Sequence, residues 1–303
     1  MRDHTGGEET VLHRDIDRPA TRGAFVFRYT RVVLSLVIAV VAAQTEHLPD
    51  QLMRGDGAER ATRVAVLCRP GSEWWVANES NADALGSCER ALSTLATETH
   101  LRAQSTRNRG DYLKARELYR AYLTVFGPGP RLSDEAFNLT FYLAEVLWYL
   151  DSFEEAIEQY EAVVRFELPD TERARLQAQP RYRQTAEFNI VLAWGQLVAR
   201  EHHRLHSPTT STMRCDDVRV PPIGARRTPL TRFEAKLVGA ADDYVLRHEE
   251  AAAAEVALDA ALVFADRGHV SEARLRLEAI VVRWPGEASA HKAAAMIARL
   301  PRR

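Results

Sequence analysis

From about Ala91 to the carboxyl terminus, apolar positions recur three and four residues apart, the spacing of one buried helical face. In "GDYLKARELYRAYLTVFGPGP", Tyr112, Ala115, Leu118, Tyr119 and Tyr122 share a face. Gly127, Pro128, Gly129 and Pro130 then stop the helix. "SDEAFNLTFYLAEVLWYL" predicts the next helix, with Ser133 or Asp134 as its N-cap. "DSFEEAIEQYEAVVRFELP" predicts another, capped by Asp151 or Ser152. "QTAEFNIVLAWGQLVARE" continues the pattern. "RFEAKLVGAADDYVLRH", "AAAAEVALDAALVFADRG", "SEARLRLEAIVVRWP" and "EASAHKAAAMIARL" complete it.

Two stretches do not follow this period. His206 to Thr231 carries four prolines with several Ser and Thr, and it reads as a long exposed loop between two helical blocks. Residues 44–95 are poorly defined. There "RVAVLC" (Arg63 to Cys68) and "EWWVA" (Glu73 to Ala77) look strand-like or irregular, on either side of the turn signal "RPGS".

The helical hairpins are similar to one another. Around Ala156 stand Leu143, Ala144, Leu147, Phe153, Tyr160, Val163 and Pro169. Around Ala273 stand Ala260, Ala261, Phe264, Val270, Leu277, Ile280 and Pro285 at matching offsets, the proline slipping by one. Around Ala115 the second half recurs as Gly110, Tyr112, Tyr119 and Tyr122. This pattern resembles the tetratricopeptide repeat, a helix–turn–helix unit of about 34 residues. The resemblance covers two full units, about 137–170 and 254–287, and a poorer one, about 96–129, where Arg102 stands in place of Leu. The segments 185–200 and 232–248 would be degenerate half-units. The resemblance implies that Ala144 and Ala261, with Ala156 and Ala273, are close helix contacts. It implies that Gly110 and Gly268 end first helices in the left-handed conformation.

At the amino end, Val32 to Ala43 is an apolar run broken only by Ser35 and preceded by Arg22, Arg28 and Arg31. Val41 and Ala43 stand at the small-residue positions before Gln44. These are the parts of a secretory signal, and the run is short for a membrane span. The leader is long for such a signal and contains acids, and the alternative reading is a buried helix of a cytoplasmic protein. Cys68 and Cys88 could pair in an oxidising space, leaving Cys215 over, whereas in the cytoplasm all three would be thiols. An exported leader followed by irregular repeats also resembles bacterial envelope-associated repeat proteins, such as outer-membrane assembly and gliding-motility scaffolds.

Composition narrows function further. The 303 residues are 46% hydrophobic, enough for a sizeable core, and the formal net charge is -2. A near-neutral chain lacks the electrostatic footprint of a dedicated nucleic-acid binder. No G-x-S-x-G, Walker or G-x-G-x-x-G motif occurs, and the cysteines match no zinc spacing. The sharpest metal candidate is "REHHRLH", where His202 and His206 are four apart with Glu201, Cys215, Asp216 and Asp217 nearby. The plainer reading of that stretch is a polar linker.

The expected architecture is therefore all-α: an irregular tetratricopeptide-type solenoid of helical hairpins behind an N-terminal signal or anchor segment. Its parts are a leader over 1–43, a poorly defined segment over 44–95, a helical block over 96–200, an exposed loop over 201–231 and a second block over 232–303. The expected function is a non-enzymatic protein–protein scaffold without a cofactor. It would be periplasmic or envelope-associated, with possible membrane association through the apolar run. A metal-binding or enzymatic accessory with a site in 201–217 is the alternative. The resemblance implies that Asn138, Phe141, Glu145, Trp148 and Tyr149 line a concave face that holds a partner.

Overall fold

A computed structural model describes residues 57–127, 134–165, 180–205 and 227–301, and all the regular structure among them is helical. The elements are α1 (Gly57–Leu67), α2 (Glu73–Asn78), α3 (Ala82–Thr106), α4 (Arg109–Phe126), α5 (Asp134–Tyr149) and α6 (Phe153–Arg165). They continue with α7 (Pro180–Leu205), α8 (Arg232–Arg247), α9 (Ala251–Asp266), α10 (Val270–Arg283) and α11 (Ala288–Arg299). The apolar run of the leader lies outside the described residues.

The helices pack in the order in which the chain makes them. From α3 to α11, each lies against the one before and the one after. Contacts also join α3 to α5, α5 to α7 and α9 to α11. Ala144, Ala156, Ala261 and Ala273 are fully buried, as close helix contacts demand. Any larger side chain there would have to displace its neighbours.

The expectation of strand-like or irregular structure in 44–95 is corrected: Gly57 onward is helical. Val64 and Val66 alternate as strand residues would, but it is Val64 and Cys68, four apart, that are buried, while Val66 is 60% exposed. Ser72 sets the start of α2. Its Oγ accepts from Trp75 N at 3.0 Å and donates to Leu67 O at 2.6 Å. Asn81 caps α3 by accepting from Asp83 N and Ala84 N. Cys68 and Cys88 form a disulfide, with Cα atoms 5.7 Å apart, and tie the end of α1 to α3.

The turns also correct one reading and support another. The left-handed residue between α3 and α4 is Arg107 (φ 55), not Gly110. Asn108 caps α4 by accepting from Gly110 N at 2.7 Å, which draws Gly110 into the first turn. Between α9 and α10 the left-handed residue is Gly268 (φ 75), as the pattern implies. Gly127 ends α4, where an added Cβ would lie 1.9 Å from the Leu123 carbonyl oxygen, so no other residue fits that backbone.

α7 runs on to Leu205, past the 201 bound and up to the start of the break read at His206. α7 and α8 pack as a hairpin although the chain between them is long. Thr231 and Glu234 close a capping box at the start of α8, with bonds of 3.2 and 2.8 Å.

Candidate protein-binding face

The five residues expected to line a partner face all lie on α5, and the structure divides them. Phe141 is 3% exposed, with its ring centroid 4.9 Å from Tyr182 and 5.9 Å from Tyr160. It is packing between successive hairpins. Glu145 accepts from the Tyr160 hydroxyl and from Asn189 Nδ2, the latter at 2.9 Å. One carboxylate thus joins α5, α6 and α7. Burial, and then the Glu145 charge, hold the Tyr160 phenol well above its ordinary pKa, so it stays a donor. Tyr149 stacks on Tyr112 with centroids 3.6 Å apart, and its hydroxyl donates to Arg107 O at 3.2 Å. Glu145 and Tyr149 therefore give their polar ends to the fold and not to a partner face. Their partners stand 15, 44 and 42 residues away, which the sequence pattern does not bring together.

Asn138 and Trp148 differ. Both are half-buried, and neither makes a side-chain hydrogen bond among the described residues. Trp148 meets Phe153 edge-on, with centroids 5.0 Å apart. Phe153 in turn lines a cleft of about 500 Å³ where the α5–α6 turn faces α7 and the start of α8. Asp151, Glu154, Glu155 and Glu201 give this cleft carboxylate walls, and Phe153 and Phe233 give it aromatic ones. Arg200 already occupies part of it. Its guanidinium carbon is 4.4 Å from the Phe153 centroid, and it pairs with Asp151 at 3.0 Å. Glu155 pairs with Arg120. Asp151 reads from sequence as a helix cap only. What sequence could not supply is that α7 brings Arg200 and Glu201 opposite that turn.

The alternative metal region is only partly described. His202 Nε2 is 3.0 Å from Glu234 Oε1, and Arg267 Nε holds both Glu234 oxygens at 2.9 and 2.8 Å. Burial works against the charge of Glu234. The Arg267, Thr231 and His202 hydrogen bonds outweigh burial and hold its carboxyl below the ordinary range. His202 is thereby part of a hydrogen-bonded network that joins α7 and α8 to the end of α9. His206, Cys215, Asp216 and Asp217 lie outside the described residues. Among the described residues, no group of three or more His, Cys, Asp or Glu side chains is placed to hold a metal.

In comparisons with known proteins, no family model matches the chain and no curated protein matches it.

Proposed function

We propose that this protein is a non-enzymatic scaffold of the tetratricopeptide type, a solenoid of helical hairpins that holds a protein partner. The observation that carries the reading is the packing order. Consecutive hairpins α3/α4, α5/α6, α7/α8 and α9/α10 each rest on the next, and the first helices α3, α5 and α7 touch in turn. Such a row exposes one side of each first helix along a shared surface, which is how these repeats present a partner segment. On α5 Asn138 and Trp148 retain unengaged polar atoms, and Trp148 stands beside the cleft lined by Asp151, Glu154 and Glu201. Acidic walls beside aromatic rings suit a partner segment bearing Lys or Arg.

The partner is met outside the cytoplasm in this reading. A disulfide between two fully buried cysteines supports an oxidising compartment, alongside the basic and apolar leader. The test is capture from envelope extracts by the tagged full chain. Asn138→Ala with Trp148→Phe, which keeps an aromatic ring against Phe153, should remove the captured protein while leaving helical circular dichroism and the melting temperature close to wild type. Undiminished capture by that variant would place the partner elsewhere.

A further inference from the structure

The turn between α5 and α6 keeps a side chain where its counterpart between α9 and α10 has none. Asp151 stands five residues before Ala156 in the left-handed conformation (φ 64), and Gly268 stands five residues before Ala273 at φ 75. Glycine enters that region freely, whereas aspartate does so against its Cβ. The carboxylate kept there is in use. Arg200 Nη2 is 3.0 Å from Asp151 Oδ1, and Arg200 Nη1 donates to Asp151 O at 2.9 Å. The guanidinium carbon lies 4.4 Å from the Phe153 centroid. A planar cation is held best in this way, with an aromatic face against it and oxygens at its edge.

Arg200 does not satisfy the whole cleft of about 500 Å³. Glu155 is matched by Arg120, and Asp151 by Arg200 and Arg109. Glu154 and Glu201 have no ion pair among the described residues. Glu201 is the sharper case, because its Oε2 is buried and has no hydrogen-bond partner among the described residues. A buried carboxylate oxygen without a donor is costly, so a donor brought from outside is favoured there. Phe233 gives the same cleft a second aromatic ring.

We infer that this cleft is an arginine socket that Arg200 fills as a surrogate in the free protein. An arginine of a partner segment displaces Arg200 from Phe153 and pairs with Glu201, while Arg200 turns out to solvent. Charge favours this occupant, since two unmatched carboxylates call for a cation. Shape favours arginine over lysine, because an ammonium neither stacks flat on a ring nor bonds two acceptors in a fork. Arg200 can give way because its pair lies near the surface. Its side chain is 40% exposed and that of Asp151 58%, and exposed pairs hold weakly. The inference rests on the scaffold reading only for the kind of ligand, a side chain of a polypeptide, and adds to it a contact that regulates access.

The test uses the full chain and fluorescein-labelled glycine–serine peptides that carry spaced arginines, lysines or citrullines. Fluorescence anisotropy should show the arginine peptide binding, the lysine peptide binding about fivefold more weakly, and the citrulline peptide not binding. Glu201→Gln should weaken the arginine peptide about tenfold. It should not lower the melting temperature, because it removes a buried charge that has no partner. Arg200→Gln should strengthen the arginine peptide about fivefold, since a self-occupied site binds only through the fraction left open. Arg200→Lys is the second variant in case Arg200→Gln disturbs folding, which circular dichroism would reveal. It keeps a charge near Asp151, loses the fork, and should also bind more tightly than wild type. Equal binding of the arginine and lysine peptides would overturn the inference by reducing the cleft to a patch of negative charge. So would a folded Arg200 variant that binds no more tightly than wild type, or unchanged binding in Glu201→Gln. Dimerisation of Arg200→Gln without peptide would make the occupant a second copy of the chain, and would overturn the inference too. None of these failures touches capture from envelope extracts through Asn138 and Trp148. Conversely, a socket that behaves as expected beside capture that ignores those two residues would sink only the α5 face, so the two readings fail separately.

Discussion

The hairpins α3–α6 and the helices α9–α11 are packed by different chemistry. In the first, Tyr112, Tyr119, Tyr122, Tyr142 and Tyr160 are each under 2% exposed. Burying a phenol without a partner for its hydroxyl is costly, and of these five Tyr112 alone has none among the described residues. Tyr122 donates to Glu89 at 2.9 Å, Tyr160 donates to Glu145, and Tyr119 meets His100 Nδ1 at 3.1 Å. In the second region the contacts are made by Ala253, Ala254, Ala260, Ala261, Ala265, Ala273, Ala290 and Ala293, all at most 3% exposed. These alanines need no polar partner, and with Leu277, Ile280 and Met296 they let the helices approach closely; the polar bonds of this region, such as Trp284 Nε1 to Glu249 O at 2.8 Å, lie at the helix ends. The same succession of helices is thus held by hydrogen-bonded aromatic rings at one end and by steric fit at the other. The first region should be sensitive to lost partners and to protonation. The second should be sensitive to added bulk.

The largest effect expected from this contrast is at Glu145. Glu145→Ala strands the buried Tyr160 hydroxyl and the Asn189 amide, each costing about 1–3 kcal/mol. Chemical denaturation should read a large loss of stability, whereas Glu145→Gln, which keeps an acceptor, should lose much less. If Glu145→Ala melted like wild type, the carboxylate would not be what joins the three helices.

Acidification comes next. His100 is buried among Tyr112, Tyr119 and Tyr142, and burial lowers its pKa to about 3. In the unfolded chain it titrates near its ordinary value of about 6.5. The unfolded state therefore takes up the proton first as pH falls. The stability at stake is fully present above about pH 6.5 and declines below it, by about 1.4 kcal/mol per pH unit, until about pH 3. A melting series from pH 7 to pH 4 should show this slope for wild type. The slope should be shallower for His100→Gln, although that variant starts lower. Parallel curves would mean that His100 is not the group responsible.

Ala273→Leu should have the smaller effect, an overpacking cost of about 1–3 kcal/mol in one place. Ala273→Gly should cost about 1 kcal/mol through helix propensity alone. A Leu variant as stable as wild type would contradict the close approach of α9 and α10.

The same contrast explains which parts of the molecule were legible in the sequence. Steric fit leaves a local signature: a helix that must approach its neighbour shows a small residue at a fixed offset. Ala144, Ala156, Ala261 and Ala273 could be picked out that way, and all four are fully buried. Hydrogen-bonded packing leaves no such signature. Glu145 meets Tyr160 and Asn189 at separations of 15 and 44 residues, so its carboxylate looked free for a partner. The α1–α2 region was misread for a different reason. Its short apolar run alternates at two residues and packs at four, and only tertiary contact, sealed by Cys68–Cys88, decides between these periods. Gly110 was misassigned because Asn108 claims the helix start two residues earlier.

The most direct test of the scaffold reading is photo-crosslinking in the intact cell. A photoreactive residue in place of Asn138 should join the full chain to one protein partner. The same group in place of Ala279, on an exposed position of α10, should not join that protein. The crosslink from position 138 should disappear when Trp148→Phe, which keeps the ring packed on Phe153, is added. Equal crosslinking from both positions, or none from position 138 in cells where the chain is folded and exported, would contradict the account.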